Sequence, residues 1–106
     1  MPGAPGSPGT PGATRVVERE TVKTTGNGQD DSASVTCNQG EVATGGGWAF
    51  GSGNVANFYT FGDYPIKAGG APAGPGDTPV GWAVTVYNNS GQTANNWRVY
   101  VICASP

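Results

Sequence analysis

Residue types that could do chemistry are few in this chain, and they favour cross-linking and stacking over catalysis. Two cysteines, Cys37 and Cys103, stand far apart, and the seven carboxylates Glu18, Glu20, Asp30, Asp31, Glu41, Asp63 and Asp77 have no histidine to work with. Without an imidazole there is no ready base to activate a nucleophile, and no motif pairs the carboxylates for acid and base work. An enzyme is not expected. Two thiols lacking a histidine or a second cysteine pair cannot complete the usual tetrahedral metal set, so neither a metal nor a cofactor is expected. Asp30 and Asp31 follow Gly26-Asn27-Gly28 and offer oxygen ligands of the kind calcium takes, but they match no complete loop. Gly51-Ser52-Gly53-Asn54-Val55-Ala56 fits the string G-x-G-x-x-A. No helix pattern follows it and the chain is too short for a βαβ unit, so it reads as a glycine-rich turn.

The cysteines do better as a structural pair. Cys37 lies on an early strand pattern and Cys103 near the end of the last, each in phase with the inward face. A disulfide between them is the favoured reading, with two buried free thiols as the alternative. Closing so long a loop contributes about 4 kcal/mol by the chain-entropy account and implies an oxidising compartment. The second chemical resource is aromatic: 3 Trp, 4 Tyr and 3 Phe. Trp48, Phe58, Tyr59, Phe61 and Tyr64 cluster in the middle of the chain. Flat exposed rings make platforms for sugars or partner proteins, and the competing use for them is core and subunit interface.

The elements that position these residues begin with a repeat. Gly3, Gly6, Gly9 and Gly12 open consecutive triplets, with Pro third in the first three. This is the Gly-X-Y pattern of the collagen triple helix, where only Gly fits at the crowded axis and Pro pre-sets the backbone angles. Residues 1–14 are therefore assigned as a short collagen-like segment, with a flexible Pro/Gly linker as the alternative. Because Met1 leads straight into triplets, the chain reads as part of a longer fibre begun at an artificial methionine, with any secretion signal upstream.

Residues 15–31 are read as a neck and loop. Arg15 to Thr25 mixes charges with β-branched residues and favours a strand, although Val16, Glu20 and Lys23 at helical spacing leave a coiled neck open. From residue 32 to 106 strand signals dominate. Ala33, Val35 and Cys37 share one face, and Glu41 to Phe50 continues as a strand interrupted by Gly45-Gly46-Gly47. That glycine run marks a bulge or a place where a neighbour packs on bare backbone. Asn57 to Tyr64 is a further strand, and Lys67 to Pro79 a loop without triplet phase. Trp82, Val84 and Val86, then Asn88-Asn89-Ser90-Gly91, then Trp97, Val99, Val101 and Cys103 predict a closing β-hairpin with the two tryptophans on opposing strands. Asn88-Asn89-Ser90 also fits a glycosylation acceptor, although a turn is the simpler use. The fold class expected is all-β, a small sandwich or jelly-roll-like domain with one disulfide.

Val35-Thr36-Cys37-Asn38-Gln39-Gly40-Glu41-Val42-Ala43-Thr44-Gly45-Gly46-Gly47-Trp48, with Trp82 to Val86, Asn88-Asn89-Ser90 and Val99 to Ala104 downstream, resembles a known module. It is a small two-cysteine β-domain of secreted actinobacterial proteins and of tail proteins of their phages, often found after Gly-X-Y repeats. The resemblance spans roughly residues 32–104 and the triplets. It implies a fibre or surface module that trimerises, and it brings no catalytic residues.

Charge narrows the partners further. With 5 basic and 7 acidic residues the net charge is −2, which gives no footprint for a phosphate backbone, so nucleic acid is not expected. No apolar run approaches the roughly 20 residues of a bilayer span, so no membrane insertion is expected. Four triplets are too short to trimerise alone, so the expected function is trimerisation and chain registration at the C-terminal end of a collagen-like fibre, with the chain itself as partner in a homotrimer. The alternative is a tip that binds a cell-surface glycan or receptor on a bacterial adhesin or phage tail fibre. The expected location is secreted, cell-surface or virion.

Overall fold

The computed structural model describes residues 14–106, so the triplet glycines Gly3, Gly6, Gly9 and Gly12 lie outside the described residues. Alternating burial along each segment yields six strands: β1 Arg15–Thr25, β2 Asp30–Thr36, β3 Val42–Ser52, β4 Phe58–Ile66, β5 Gly81–Asn88 and β6 Asn95–Ser105. They form two antiparallel sheets of three strands, ordered β1-β6-β3 and β2-β5-β4. The sheets pack face to face, giving the expected all-β sandwich. No helix among the described residues is long and apolar enough to cross a membrane.

The core sits between the two central strands. Val84 and Val86 of β5 face Trp97, Val99, Val101 and Cys103 of β6, none more than 1% exposed. Full burial of each valine contributes roughly 1.5–3 kcal/mol, which is why these strands are central and not at an edge.

The predicted closing hairpin does not form. β5 pairs with β2 and β4, while β6 pairs with β1 and β3, so residues 89–94 cross from one sheet to the other. Period-2 alternation marks a strand with one buried face but not its sheet, and two such strings joined by a turn fit a sandwich crossover as well as a hairpin. Trp82 and Trp97 accordingly sit at opposite ends of the core.

The segment read as a neck is also part of the sandwich. β1 pairs with β6 along its whole length, from Arg15 opposite Ser105 to Thr25 opposite Asn95, so the β-structure starts at residue 15 and a coiled neck is replaced by a strand. Its inward side chains are Val17, Arg19, Thr21, Lys23 and Thr25, a mostly polar row on an edge strand. Inward-pointing charge on an edge is a common defence against further strand pairing.

The glycine run behaves as expected. A register shift falls between Ala43 and Gly45. At Gly46 a Cβ would collide with the Trp82 indole and lie 2.7 Å from the Tyr100 carbonyl oxygen, so the ring from the other sheet lies on bare backbone.

Candidate functional site

One end of the sandwich gathers the start of β1, the end of β6, the start of β3 and the end of β2. Cys37 follows β2 and Cys103 belongs to β6, and the two are joined by a disulfide with Cα atoms 5.7 Å apart. The bond ties the two sheets together and is consistent with an oxidising, extracellular environment. Beside it Arg19 Nε donates to Glu41 Oε1 at 2.9 Å and its Nη2 to Oε2 at 2.7 Å, a two-pronged fork between the sheets. The Asn38 backbone N–H donates to the same carboxylate at 2.7 Å. These hydrogen bonds, Arg19 foremost, hold the Glu41 carboxyl at about 2, well below the usual carboxylate range. Glu41 and the two sulfurs lie within 4.8 Å of one another, but the sulfurs are bonded to each other and the carboxylate is occupied by Arg19.

The opposite end is closed by a polar cluster that sequence reasoning missed. Thr25, Asn88 and Asn95 are fully buried. The Trp97 indole N–H donates to Thr25 Oγ1 at 2.9 Å. Asn88 Nδ2 donates to the Thr25 carbonyl at 2.9 Å and accepts at Oδ1 from Ser90 Oγ at 2.6 Å. Asn95 Nδ2 donates to the Asn54 carbonyl at 2.8 Å, and its Oδ1 accepts the Asn54 N–H at 2.9 Å. Three loops, after β1, after β3 and after β5, are thereby locked to one another. Gly53 has φ +121° and would press a Cβ into the Asn95 amide, so this loop requires glycine. Burial of Asn88 in that network rules out its use as a glycan acceptor in the folded chain. Asn and Ser at a turn are what any exposed reversal would show, so the sequence held no signal for this cluster beyond its richness in Asn.

The five clustered aromatics are divided by the fold. Phe58 is buried, with ring centroids 5.8 Å from Trp48 and 5.5 Å from Phe50, and this seam closes the sandwich between edge strands β3 and β4. Tyr59 and Phe61 are 50% and 63% exposed, the latter at a register shift in β4. Tyr64 is half-buried opposite Ala83. Asp31, the candidate calcium ligand, accepts from Thr25 Oγ1 and the Ser32 N–H and lies 3.4 Å from Lys23 Nζ, while Asp30 is exposed.

The two outer faces differ in chemistry. On the β2-β5-β4 sheet the outer face is polar along β2, with Asp30, Ser32, Ser34 and Thr36, and becomes aromatic through Tyr87 of β5 to Tyr59, Phe61 and Tyr64 of β4. On the other sheet the cross-strand rows run Val16-Ala104-Val42, then Glu18-Ile102-Gly45, then Glu20-Tyr100-Gly47. Val16 and Val42 are 61% and 42% exposed although apolar. Glu20 pairs with Arg98 at 3.3 Å. A hydrogen bond shared with Glu20 foremost, then slight desolvation and the like charge of Glu20, raise the Glu18 carboxyl above its ordinary value against the opposing pull of Arg98.

Comparison with protein-family models, with curated proteins and with solved structures finds no match to this chain.

Proposed function

We propose that this chain is a non-enzymatic trimerisation and registration module that follows a collagen-like segment and nucleates its triple helix. The observation that carries this reading is the join between the two parts. Triplets in strict phase through Gly12 run, with no spacer, into a strand bonded to β6 along all of its length, and the Thr14 N–H already donates to the Ser105 carbonyl at 3.0 Å. A triple helix needs three chains brought together in register before its interchain bonds can form. A domain that itself associates in threes, attached directly to the triplets, gives each chain a high local concentration of the other two. The disulfide suits a secreted, cell-surface or virion setting for such a fibre.

A second reading is favoured by one feature. Tyr59 and Phe61 are exposed on the half of the domain farther from Arg15, where a fibre would meet a glycan or receptor. The two roles are compatible in one trimer.

Light scattering on the whole chain and on residues 15–106 tests the first reading. Both should run at three times the chain mass at micromolar concentration. Monomeric behaviour of the shortened chain would overturn it and leave the binding module as the better account, which a glycan array would then probe.

A further inference from the structure

We infer that the outer face of the β1-β6-β3 sheet, at the end where Arg15 enters, is the surface on which copies of this chain associate, with Val16 of one copy against Val42 of the next. The inference rests on the trimer reading and specifies its interface. Its argument starts from the chain that precedes the sheet. In a triple helix Gly12 sits at the axis. Only residues 13 and 14 separate it from β1, and the three steps from Gly12 to Arg15 reach at most about 10 Å. The threefold axis therefore passes close to Arg15, and whatever surface borders Arg15 must face the other copies.

Two outer faces border that end, and only one exposes large aliphatic side chains there. On the β2-β5-β4 sheet the rows at that end run Thr36-Gly81-Ile66 and Ser34-Ala83-Tyr64, with Ile66 and Ala83 buried and Tyr64 half-buried. On the other sheet Val16, Ala104 and Val42 form one cross-strand row, with Ile102 in the row behind. Val16 and Val42 expose 61% and 42% of their surface, whereas Ala104 between them is only 6% exposed. Strands in a sheet are spaced about 4.8 Å apart, so Val16 and Val42 of one copy stand about 10 Å from each other, too far to touch. A threefold ring brings different flanks together: the β1 side of one copy meets the β3 side of its neighbour. With the small Ala104 nearest the axis, each Val16 finds the neighbour's Val42. Three such contacts bury the exposed valines and hold the three Arg15 ends together.

Charge exchange tests this on the full chain. Val16→Lys and Val42→Glu each place a charge in an apolar contact, and each should raise the concentration at which the trimer dissociates by about tenfold or more. The double variant Val16→Lys/Val42→Glu should recover most of that loss, because the new charges meet across copies. Phe61→Lys, on the remote half, should leave association unchanged, and circular dichroism confirms that each variant keeps its strands. Trimers that persist in both single variants, or that fail to recover in the double variant, would overturn the interface while the trimer reading stands. A parent chain that is itself monomeric would overturn both.

Discussion

At the end where Arg15 enters, a covalent bond between Cys37 and Cys103 ties the two sheets; at the other end the same task falls to hydrogen bonds among Thr25, Asn88, Asn95 and Trp97. The difference follows from what each end must do. The disulfide acts largely by restricting the unfolded chain, so its contribution does not depend on a fully complementary packing around it. That suits an end which, on the function proposed above, takes up the triplet segment and offers its outer surface to other copies. The polar cluster works only when complete, because losing one member strands its partners in the core. In return it fixes three loops in one arrangement and holds rigid the half of the domain that displays Tyr59 and Phe61.

Removing the covalent tie should have the largest effect. Cys37→Ala/Cys103→Ala should cost about 2–5 kcal/mol and lower the melting temperature by something on the order of 10–30 °C at fixed protein concentration. Intact mass of the parent should rise by two hydrogens per chain on reduction. A melting temperature unchanged in the double variant would mean that the hydrogen-bonded end carries the fold alone.

Breaking the other end should cost somewhat less and spread less widely. Asn88→Ala removes the donor to the Thr25 carbonyl and the acceptor for Ser90 and Asn95. Urea unfolding should show a loss of about 2–3 kcal/mol, and amide exchange should rise first in the loops around residues 53–57 and 89–94. A loss below about 1 kcal/mol, within the worth of one ordinary hydrogen bond, would show that water replaces the cluster without penalty.

How much of this could be read in advance differs between the two ends for a physical reason. Cys37 and Cys103 declare themselves, because their chemistry is specific and both fall in the inward phase of a strand. The glycine run is legible for a similar reason: it leaves few uses besides a bulge and bare backbone for a neighbour, which the fold shows to be Trp82. Asn88 and Asn95 carry no such mark. A buried Asn and a solvated turn Asn look alike until the loops that cover them are placed. The sheet partners of β5 and β6 were hidden by the same degeneracy, since alternation fixes a face and leaves the neighbour open. Arg19 on edge strand β1 and Glu41 in the loop before β3 lie 22 residues apart, and the pairing of both strands with β6 brings them together.

That ion pair supplies the smallest effect at neutral pH and the sharpest distinction between the ends. Glu41 is held at about 2 in the fold against 4.5 for the free side chain. A depressed carboxyl pKa stabilises the fold above the unfolded value, and the contribution disappears as pH falls from about 4.5 to about 2. Its carboxylate is 8% exposed and Arg19 27%, so salt screens the pair only in part. The opposite end is built mainly from amides, a hydroxyl and an indole, which do not titrate there. The urea midpoint of the parent should therefore fall relative to that of Glu41→Gln between pH 4.5 and 2, the two converging at the acid limit. Asn88→Ala should keep the full acid dependence of the parent, because it leaves Arg19 and Glu41 untouched. If Glu41→Gln tracks the parent at a constant offset through this range, the fork does not lend the disulfide end its acid sensitivity. If Asn88→Ala flattens the profile instead, the acid sensitivity lies at the amide-rich end, and the contrast drawn between the two ends is wrong.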